Sequence, residues 1–507
     1  MPTLPEVLSQ TVARHGDKPA LLSEGLCLSW RDLQAEAERL ARLLWSVGVR
    51  KGDPVAFLLH KRPEIVIGFL ACARIGALYT PVNFKLHSDQ LRDFFRRLQV
   101  RTVLVEKSLD SVLKPLLPEL SDPERILYVG ERGSHGEGDA SADASVLLDV
   151  TVEEHEPCYL NVTSGTTGQP KGALTTHANI LAQATSAFGD EGLGFREDDV
   201  FLGMFSVFAH PHELFHRSLV CGGSFVILDS LSPRVIAQTI ERFGVTWMMA
   251  VPSLYEMLLD HVGGRHDLSS LRMLESGGAY VSAGTLERME EHLKAAFMPV
   301  WGSTETTGVA LALRPDRPRR PGATGRPVQG YEIRVVDRRG RDCPAGELGE
   351  LLVRGPSVVS GYLDNAEESA RCFRDGWYHT ADLVRVAEDG FVDFVGRVSE
   401  MLKIGGIRVY PLEIEKVIKD HPQVRDVVVV RAEERIRGEV ARAVVECEAQ
   451  STLTARKLQA YCRDRMAPYK VPRIVEFWTT IPALPNGKID KRAVVAVPVD
   501  PARDDRA

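Results

Sequence analysis

The chain has 507 residues, of which 44% are hydrophobic and 26% charged, and its net charge is −7 at pH 7. This length exceeds one ordinary hydrophobic core, so at least two domains are expected. The mild acidity gives no reason to expect a nucleic-acid partner, and the eight cysteines form no Cys-x-x-Cys pair, which argues against a zinc ribbon. Because the N-terminus shows no basic and apolar leader and no apolar run reaches about 18 residues, we expect a cytoplasmic protein without a membrane span.

The first three hundred residues alternate predicted helices and strands. Ser29 and Asp32 form a capping signal, and apolar residues follow at helical spacing up to Gly48, which predicts a helix. Continuous apolar runs predict buried strands near residues 54–59, 102–106, 126–129, 158–162, 225–229 and 246–250. Residues 130–145 are rich in Gly, Ser and charge and predict a mobile loop. The alternation favours α/β layers.

After Gly330 the pattern changes to short strands joined by Gly and Asp turns, which predicts a β-rich subdomain. A compact terminal stretch follows, with a helix from Pro411, a strand at 427–430, a helix around 453–461 and a strand near 474–477. A boundary near Arg397 gives two predicted domains, residues 1–396 and 397–507. The predicted fold is therefore a large α/β region with a β-rich subdomain, followed by a small α+β domain.

The most informative segment is residues 163–172, directly after the strand predicted at 158–162. It holds four hydroxyl side chains, three glycines and one lysine, which are Thr163, Ser164, Gly165, Thr166, Thr167, Gly168, Lys171 and Gly172. Glycines let backbone N–H groups approach a ligand closely, and hydroxyls and a lysine add donors for phosphate oxygens. The spacing is not that of a Walker loop. The segment resembles the phosphate loop of the adenylate-forming enzymes, which include acyl- and aryl-CoA synthetases, luciferases and the adenylation domains of peptide synthetases.

Further segments are similar to motifs of this family and follow in the family's order, at residues 301–305, 346–362, 376–382, 397 and 485–488. The resemblance implies that Trp301 stacks on adenine, Thr304 holds the α-phosphate and Glu305 holds Mg²⁺. It implies that Asp382 binds both ribose hydroxyls, with Arg397 beside it. Ala381 departs from the family, which usually has glycine at that position.

The resemblance implies an ATP-dependent ligase that works through an acyl-adenylate. A carboxylate attacks the α-phosphorus of ATP, so an anion attacks an anion, and positioning and charge neutralisation carry the catalysis. The implied catalytic residues are Lys488, Thr304, Glu305 and Lys171. The implied ATP and AMP site consists of Thr163, Ser164, Gly165, Thr166, Thr167, Gly168, Lys171, Gly278, Ala279, Trp301, Gly302, Ser303, Thr304, Asp382, Arg397 and Lys488.

The acid site is expected around Phe208 and His210, with a floor formed by Gly277, Gly278 and Ala279. Amino-acid-activating members of the family place an aspartate at the position of Phe208, so an α-amino acid is disfavoured. An aromatic side chain there gates the acyl pocket in aryl- and acyl-CoA ligases. The polar residues His210, His212 and Glu213 lead us to expect an aryl or polar-substituted acid.

Coenzyme A is the expected acceptor, bound by Lys403, Gly405 and Gly406. Proline before the Glu-Ile-Glu sequence at 413–415 is similar to CoA ligases, whereas residues 485–488 are closer to the version that loads a carrier protein. We favour coenzyme A and keep the phosphopantetheine thiol of a carrier protein as the alternative. The family hinge falls at Ser399, where Asp or Lys is usual, and about it the C-terminal domain would turn between the two half-reactions.

A rival interpretation from another class starts at His212. Residues 212–216 read His-Glu-x-x-His, a zinc motif that places two imidazoles one helical turn apart around a general base. Alone it would predict a metallohydrolase. The longer metzincin pattern is absent, because Leu219 and Gly222 stand where Gly and His are required. Residues 212–216 also lie inside the segment already assigned to the acid site.

Overall fold

A computed structural model describes residues 2–120, 125–130, 148–163, 171–205, 208, 211–262, 265–278, 280–281, 283–320, 322–434, 438–483 and 489–499. Of residues 162, 163, 211, 262 and 283 only the backbone is described. The loop predicted at 130–145 lies outside these ranges except for its first residue. No helix within them is long and apolar enough to cross a membrane, and the eight cysteines are free thiols.

Up to residue 327 the chain alternates strands and helices, as the apolar runs predict. The strands are β1 (Pro19–Ser23), β2 (Leu26–Ser29), β3 (Pro54–Leu58), β4 (Leu78–Pro81), β5 (Thr102–Glu106), β6 (Ile126–Val129), β7 (Pro157–Thr163), β8 (Lys171–Thr176), β9 (Val200–Gly203), β10 (Ser224–Val226), β11 (Trp247–Ala250), β12 (Met273–Gly277), β13 (Ala296–Ser303), β14 (Gly308–Ala312) and β15 (Arg326–Pro327). The helices are α1 (Leu4–His15), α2 (Trp30–Ser46), α3 (Glu64–Ile75), α4 (Ser88–Arg97), α5 (Asp110–Leu113), α6 (His177–Ala187), α7 (His216–Cys221), α8 (Pro233–Phe243), α9 (Pro252–Val262) and α10 (Ala283–Leu293).

These strands form two largely parallel sheets in the described part of the chain. The six-stranded sheet has the order β6-β5-β3-β4-β7-β8, and only β8 runs antiparallel to its neighbour. The nine-stranded sheet has the order β15-β14-β13-β12-β11-β9-β10-β1-β2, with antiparallel strands at its two edges. Because β9, β11, β12 and β13 are parallel, their carboxyl ends lie at the same edge of the sheet.

Helix α3 packs in the centre of this region, and eleven of its twelve residues are buried. The Phe69 ring contacts Tyr79 and Tyr159 of the six-stranded sheet, with ring centroids 5.3 and 6.0 Å away, and Phe215 at 5.3 Å. An amphipathic stripe would not allow such burial, and the apolar sequence of α3 explains why it forms an inner layer. Helix α2 begins as predicted, since the Ser29 hydroxyl accepts a hydrogen bond from the Asp32 backbone N–H at 3.1 Å.

The β-rich part is an antiparallel sheet of β16 (Glu332–Val336), β17 (Leu348–Arg354), β18 (Phe373–Arg374), β19 (Trp377–Val386) and β20 (Val392–Arg397), and it carries α11 (Ala366–Cys372). The last part contains β21 (Leu402–Ile404), β22 (Ile407–Val409), α12 (Pro411–Lys419), β23 (Val424–Glu434), β24 (Gly438–Cys447), α13 (Ala455–Arg463), β25 (Ile474–Phe477) and α14 (Lys491–Ala496). It has its own buried apolar cluster. The predicted fold class is confirmed, and the domain boundary at 396/397 remains a prediction.

Two ion pairs join this last part to α9. The Lys419 ammonium lies 3.7 Å from the Glu256 carboxylate, and the Arg425 guanidinium lies 3.2 Å from Asp260. Both acidic residues belong to α9, whereas Lys419 is the last residue of α12 and Arg425 lies on β23. These contacts hold α12 and β23 against α9 in the orientation that the structure shows.

Candidate active site

The carboxyl ends of β12 and β13 form the centre of the candidate site. Strand β12 ends at Gly277, and Gly278 follows with φ +83°, a conformation that glycine adopts without strain. The neighbouring β13 ends at Ser303, followed by Thr304 and Glu305. The parallel pairing therefore brings the predicted pocket floor beside the predicted phosphate motif.

Gly302 has a packing reason of its own. A Cβ atom at this position would lie 2.1 Å from the carbonyl oxygen of Gly308, so no larger residue fits the tight turn between β13 and β14. Within that turn the Ser303 backbone N–H donates to the Thr306 hydroxyl at 2.8 Å. The turn fixes the backbone on both sides of Glu305. Contact of Gly302 with a nucleotide stays a prediction.

Asp382 is held by two side chains from different parts of the chain. It lies on β19 opposite Arg397 on β20, and the Arg397 Nε–H donates to its Oδ1 at 2.9 Å. The Trp301 indole N–H donates to Oδ2 at 3.0 Å. Burial raises the pKa of Asp382, and the charge of Arg397 opposes that shift. The structure thus brings together the three residues assigned to adenine and ribose, and the Trp301–Asp382 bond is a feature that the sequence did not reveal.

Glu305 is oriented by Tyr362, whose hydroxyl donates to the glutamate Oε1 at 2.7 Å. Burial and the Glu305 charge raise the pKa of Tyr362 well above its usual value, so Tyr362 stays a neutral donor. A fixed and partly exposed carboxylate fits Mg²⁺, which takes one or two protein carboxylates and completes its shell with water and substrate phosphates. The site therefore suits the predicted metal role of Glu305.

Lys171, the first residue of β8, forms an ion pair with Glu368 of α11. Its ammonium also lies 5.5 Å from the centre of the Tyr362 ring. The hydrogen bonds of Arg371 and the ion pair with Lys171 lower the pKa of Glu368 to about 2. Glu368 was not predictable from the sequence, because a glutamate on a short helix carries no motif, and the two partners are 197 residues apart.

Phe208 is half-buried and follows β9 at the same edge of the large sheet. Its ring meets Phe84 edge to face, with centroids 5.0 Å apart and an interplanar angle of 89°. The Phe84 ring in turn lies 4.7 Å from that of His60, and His60 pairs with Glu106 at the end of β5. The predicted acid gate is thus supported from the six-stranded sheet, a contact that the sequence did not indicate.

The geometry argues against the zinc interpretation of residues 212–216. A one-turn 3₁₀ helix spans Pro211–Leu214, and α7 begins only at His216, so the two histidines do not share one α-helix. The His212 Nε2 faces the Thr307 carbonyl oxygen at 3.2 Å, and the His216 Nδ1 faces the His212 carbonyl oxygen at 2.7 Å. Carbonyl oxygens only accept, so these two nitrogens carry protons. The other nitrogen of His216, Nε2, faces the side-chain amide of Gln183. No set of three metal-ligating side chains is found in the described ranges.

The predicted acceptor residues Lys403, Gly405 and Gly406 form an exposed hairpin. Strands β21 and β22 pair antiparallel, and Gly405 and Gly406 turn between them with φ +57° and +81°. The Lys403 backbone N–H donates to Glu439 at 2.7 Å. Ser399 is exposed in a one-turn 3₁₀ helix, Val398–Glu400, directly after β20. In this orientation the hairpin is not packed into the candidate site.

The segment with the predicted adenylation lysine is followed by Lys491, whose ammonium pairs with Glu400 at 2.7 Å, close to Arg397. Several predicted site residues lie outside the described ranges or, for Thr163, are described by their backbone only. Those outside are Ser164, Gly165, Thr166, Thr167, Gly168, His210, Ala279 and Lys488. Their roles stay predictions.

The chain was compared with known proteins. A feruloyl-CoA synthase from Amycolatopsis sp is 33% identical over 497 residues, which cover 96% of this chain and 95% of the relative. A fatty acid–[acyl-carrier-protein] ligase from Streptomyces coeruleorubidus is 30% identical over 506 residues, with coverage of 96% and 95%. The crystal structure of an anthranilate CoA ligase in complex with anthranoyl-AMP is 28% identical and superposes with a TM-score of 0.90, covering 98% of this chain and 97% of the other.

The model of the AMP-binding enzyme family matches residues 8–363, and that of the AMP-binding enzyme C-terminal domain matches residues 413–488. The first match alone spans more than half of the chain and contains both the predicted phosphate loop and the strand ends described above. The resemblance seen in the motifs is therefore confirmed: this chain belongs to the AMP-binding enzyme family.

Proposed function

We propose that the protein joins an aromatic carboxylic acid to coenzyme A through an acyl-adenylate. The reaction class, an AMP-forming acid–CoA ligation, is that of several relatives and agrees with the prediction from the motifs. The observation that carries the choice of acid is the edge-to-face pair of Phe208 and Phe84 at the edge where the nucleotide residues meet. Aromatic rings prefer such contacts with other rings, so the pair presents a suitable wall for an aromatic acid.

The first half-reaction forms a bond between a carboxylate oxygen of the acid and the α-phosphorus of ATP, and it breaks the bond from that phosphorus to the pyrophosphate oxygen. Asp382 and Trp301 hold the nucleoside, so the phosphates extend toward Thr304 and Lys171. Lys488 and Lys171 balance the charge on the phosphoryl oxygens, since lysine is a compact point charge on a flexible stem. Mg²⁺ at Glu305 would add charge neutralisation.

The second half-reaction breaks the acyl–phosphate bond of the adenylate and forms a thioester, with AMP as the leaving group. The hairpin around Gly405 is exposed in the present orientation, so it must approach the site for this step. We propose a turn of the C-terminal domain about Ser399. Coenzyme A is the proposed acceptor, and a carrier-protein thiol remains the alternative because one relative at 30% identity is a carrier-protein ligase.

The test measures pyrophosphate release with benzoates and cinnamates against saturated acids of equal carbon number. We expect the aromatic acids to give at least a tenfold higher kcat/KM. Phe208→Ala should change the ranking of the acids and leave the KM for ATP nearly unchanged. Phe188→Ala is the matched control, because Phe188 is exposed and lies outside the candidate site. A preference for saturated acids would refute the aromatic assignment.

Coenzyme A and a phosphopantetheinylated carrier protein are then offered separately to enzyme that has made the adenylate. Thioester formed with coenzyme A at micromolar concentration supports the proposal. Transfer to the carrier protein alone would replace it with the alternative.

A further inference from the structure

We propose that Glu368 is a positioning residue that competes with pyrophosphate and ATP for Lys171. This inference rests on the proposed function, in which Lys171 neutralises the phosphates. Lys171 belongs to the predicted phosphate segment, residues 163–172, and is the first residue of β8. Its ammonium is held by the carboxylate of Glu368, and the two side chains are 10% and 13% exposed. Removing one partner from a partly buried pair has a larger effect than removing one from a surface pair, because the other charge loses its compensation.

The carboxylate of Glu368 is the fixed member of the pair. Arg371, one turn along α11, donates to both of its oxygens, with Nε to Oε2 at 2.6 Å and Nη2 to Oε1 at 2.5 Å. The Glu368 backbone N–H is capped by Asn365 at 3.2 Å, and the Cys372 thiol lies 3.6 Å from Oε1. Lysine has a long flexible stem, so Lys171 is the partner that moves.

The alternative position of the Lys171 ammonium, beside phosphates bound near Glu305, is close to its present position. The ammonium lies 5.5 Å from the Tyr362 ring centre, and the hydroxyl of the same ring donates to Glu305. The triphosphate bound near Glu305 carries several negative charges, whereas Glu368 carries a single charge that Arg371 already partly neutralises. ATP therefore draws Lys171 away from Glu368, and Glu368 recaptures Lys171 when pyrophosphate departs. The pair lowers the affinity for both anions and speeds pyrophosphate release.

The test uses Glu368→Gln in the full chain and measures the inhibition constant of inorganic pyrophosphate and the dissociation constant of ATP. Both constants should fall three- to tenfold, because Lys171 no longer leaves a charged partner. The KM for the acid should stay unchanged, since the acid does not touch this pair. Glu368→Ala, which also removes the carboxylate, should act in the same direction and serves if the glutamine variant folds poorly. Glu367→Gln is the matched control, because Glu367 is the exposed neighbour on the same helix.

A double-mutant cycle of Lys171 and Glu368 distinguishes a failure of this inference from a failure of the proposed function. Lys171→Met should raise the ATP and pyrophosphate constants, and adding Glu368→Gln to it should change neither further. If Lys171→Met leaves both constants unchanged, the proposed phosphate role of Lys171 is wrong. If Lys171→Met weakens binding but Glu368→Gln alone leaves the constants unchanged or raises them, Glu368 does not compete for Lys171, and only the present inference fails.

Discussion

At the scale of single residues, Asp382 connects the base, the sugar and the β-rich sheet. One of its oxygens accepts from Arg397 and the other from Trp301, so a carboxylate with four acceptor positions still has two for ribose hydroxyls. The same residue thus fixes the indole that is predicted to stack on adenine. Removal of Asp382 should therefore weaken the contacts with both the adenine and the ribose.

Asp382→Ala should weaken ATP binding by roughly ten- to a hundredfold, because hydrogen bonds to a charged group contribute about 1.5–3 kcal/mol. Isothermal titration with ATP measures the change, and Asp198→Ala in an exposed turn is the control. A change below twofold in a folded protein would contradict the ribose role.

Ala381, beside Asp382, is strained. Its φ of +58° lies in the left-handed region, where the Cβ of alanine crowds the backbone and costs roughly 1–2 kcal/mol. Ala381→Gly should therefore raise the thermal midpoint of unfolding, by about 1–3 °C. Ala35→Gly at an exposed position of helix α2 is the opposite control, since glycine there costs roughly 1 kcal/mol. A lower midpoint for Ala381→Gly would show that alanine is not strained at this position.

At the scale of elements, the segment from the 3₁₀ helix to α7 carries a buried polar ladder where the sequence suggested a metal site. Phe215 separates the two short helices with φ −141°, so His212 and His216 each meet a backbone carbonyl. Burial lowers the pKa of His212 to about 4. The imidazole is therefore neutral in the folded protein and becomes charged on unfolding at mildly acidic pH.

This pKa predicts the pH dependence of stability. Above pH 6.5 His212 is neutral in both states, and it contributes no pH dependence there. As the pH falls from 6.5 to 4, the unfolded state binds the extra proton, and stability falls by about 3 kcal/mol. His212→Gln keeps a donor for the Thr307 carbonyl oxygen. In this variant the thermal midpoint of unfolding should depend less on pH between 6.5 and 4. His87→Gln, at an exposed histidine, should not have this effect. Identical profiles for His212→Gln and the parent would show that the histidine is already charged.

Elements with local signals were predictable from the sequence. The capping signal at Ser29 gave α2, and the apolar runs gave β3, β5 and β11, because these choices depend on neighbours within a few residues. The strand predicted at 225–229 is shorter, Ser224–Val226, and the one at 427–430 extends over Val424–Glu434. Ends such as these depend on which partner strand is present.

The residues of the candidate site were predictable only where a motif marks them. Trp301, Asp382 and Arg397 were expected to share a ligand, and they do meet in the structure. The ion pair of Lys171 with Glu368 was not predictable, since nothing local in the sequence indicates which glutamate will approach a lysine across 197 residues. Such contacts depend on tertiary packing, which the spacing of residues in the sequence does not indicate.

At the scale of the whole molecule, the two half-reactions should depend on different parts of the C-terminal domain. Lys488→Ala should lower adenylation by several orders of magnitude, because negative charge builds on the phosphoryl oxygens only in that step. The variant should still convert a supplied acyl-adenylate to thioester. Equal loss of both steps in a folded protein would contradict a turn of the domain.

Gly406→Leu should do the reverse, sparing pyrophosphate release and impairing transfer to the thiol. Since Gly406 has φ +81°, part of any effect comes from backbone strain. Gly340→Leu is the matched control, because Gly340 sits in another exposed turn with φ +76°. Rapid quench of each half-reaction separates the steps. Loss of pyrophosphate release in Gly406→Leu would place the hairpin in the first step.

The two ion pairs between α9 and the C-terminal part predict that the rate of acyl transfer to the thiol depends on the salt concentration. In the proposed turn of the domain, Lys419 and Arg425 leave Glu256 and Asp260, and the exposed Arg425–Asp260 pair loses strength as ions screen it. Raising KCl to about 0.5 M should therefore speed transfer from a supplied acyl-adenylate by roughly two- to tenfold. The double variant Glu256→Gln, Asp260→Asn should already be fast at low salt and respond little further. The ionic strength would then help to set how long the acyl-adenylate persists before it reacts with the thiol.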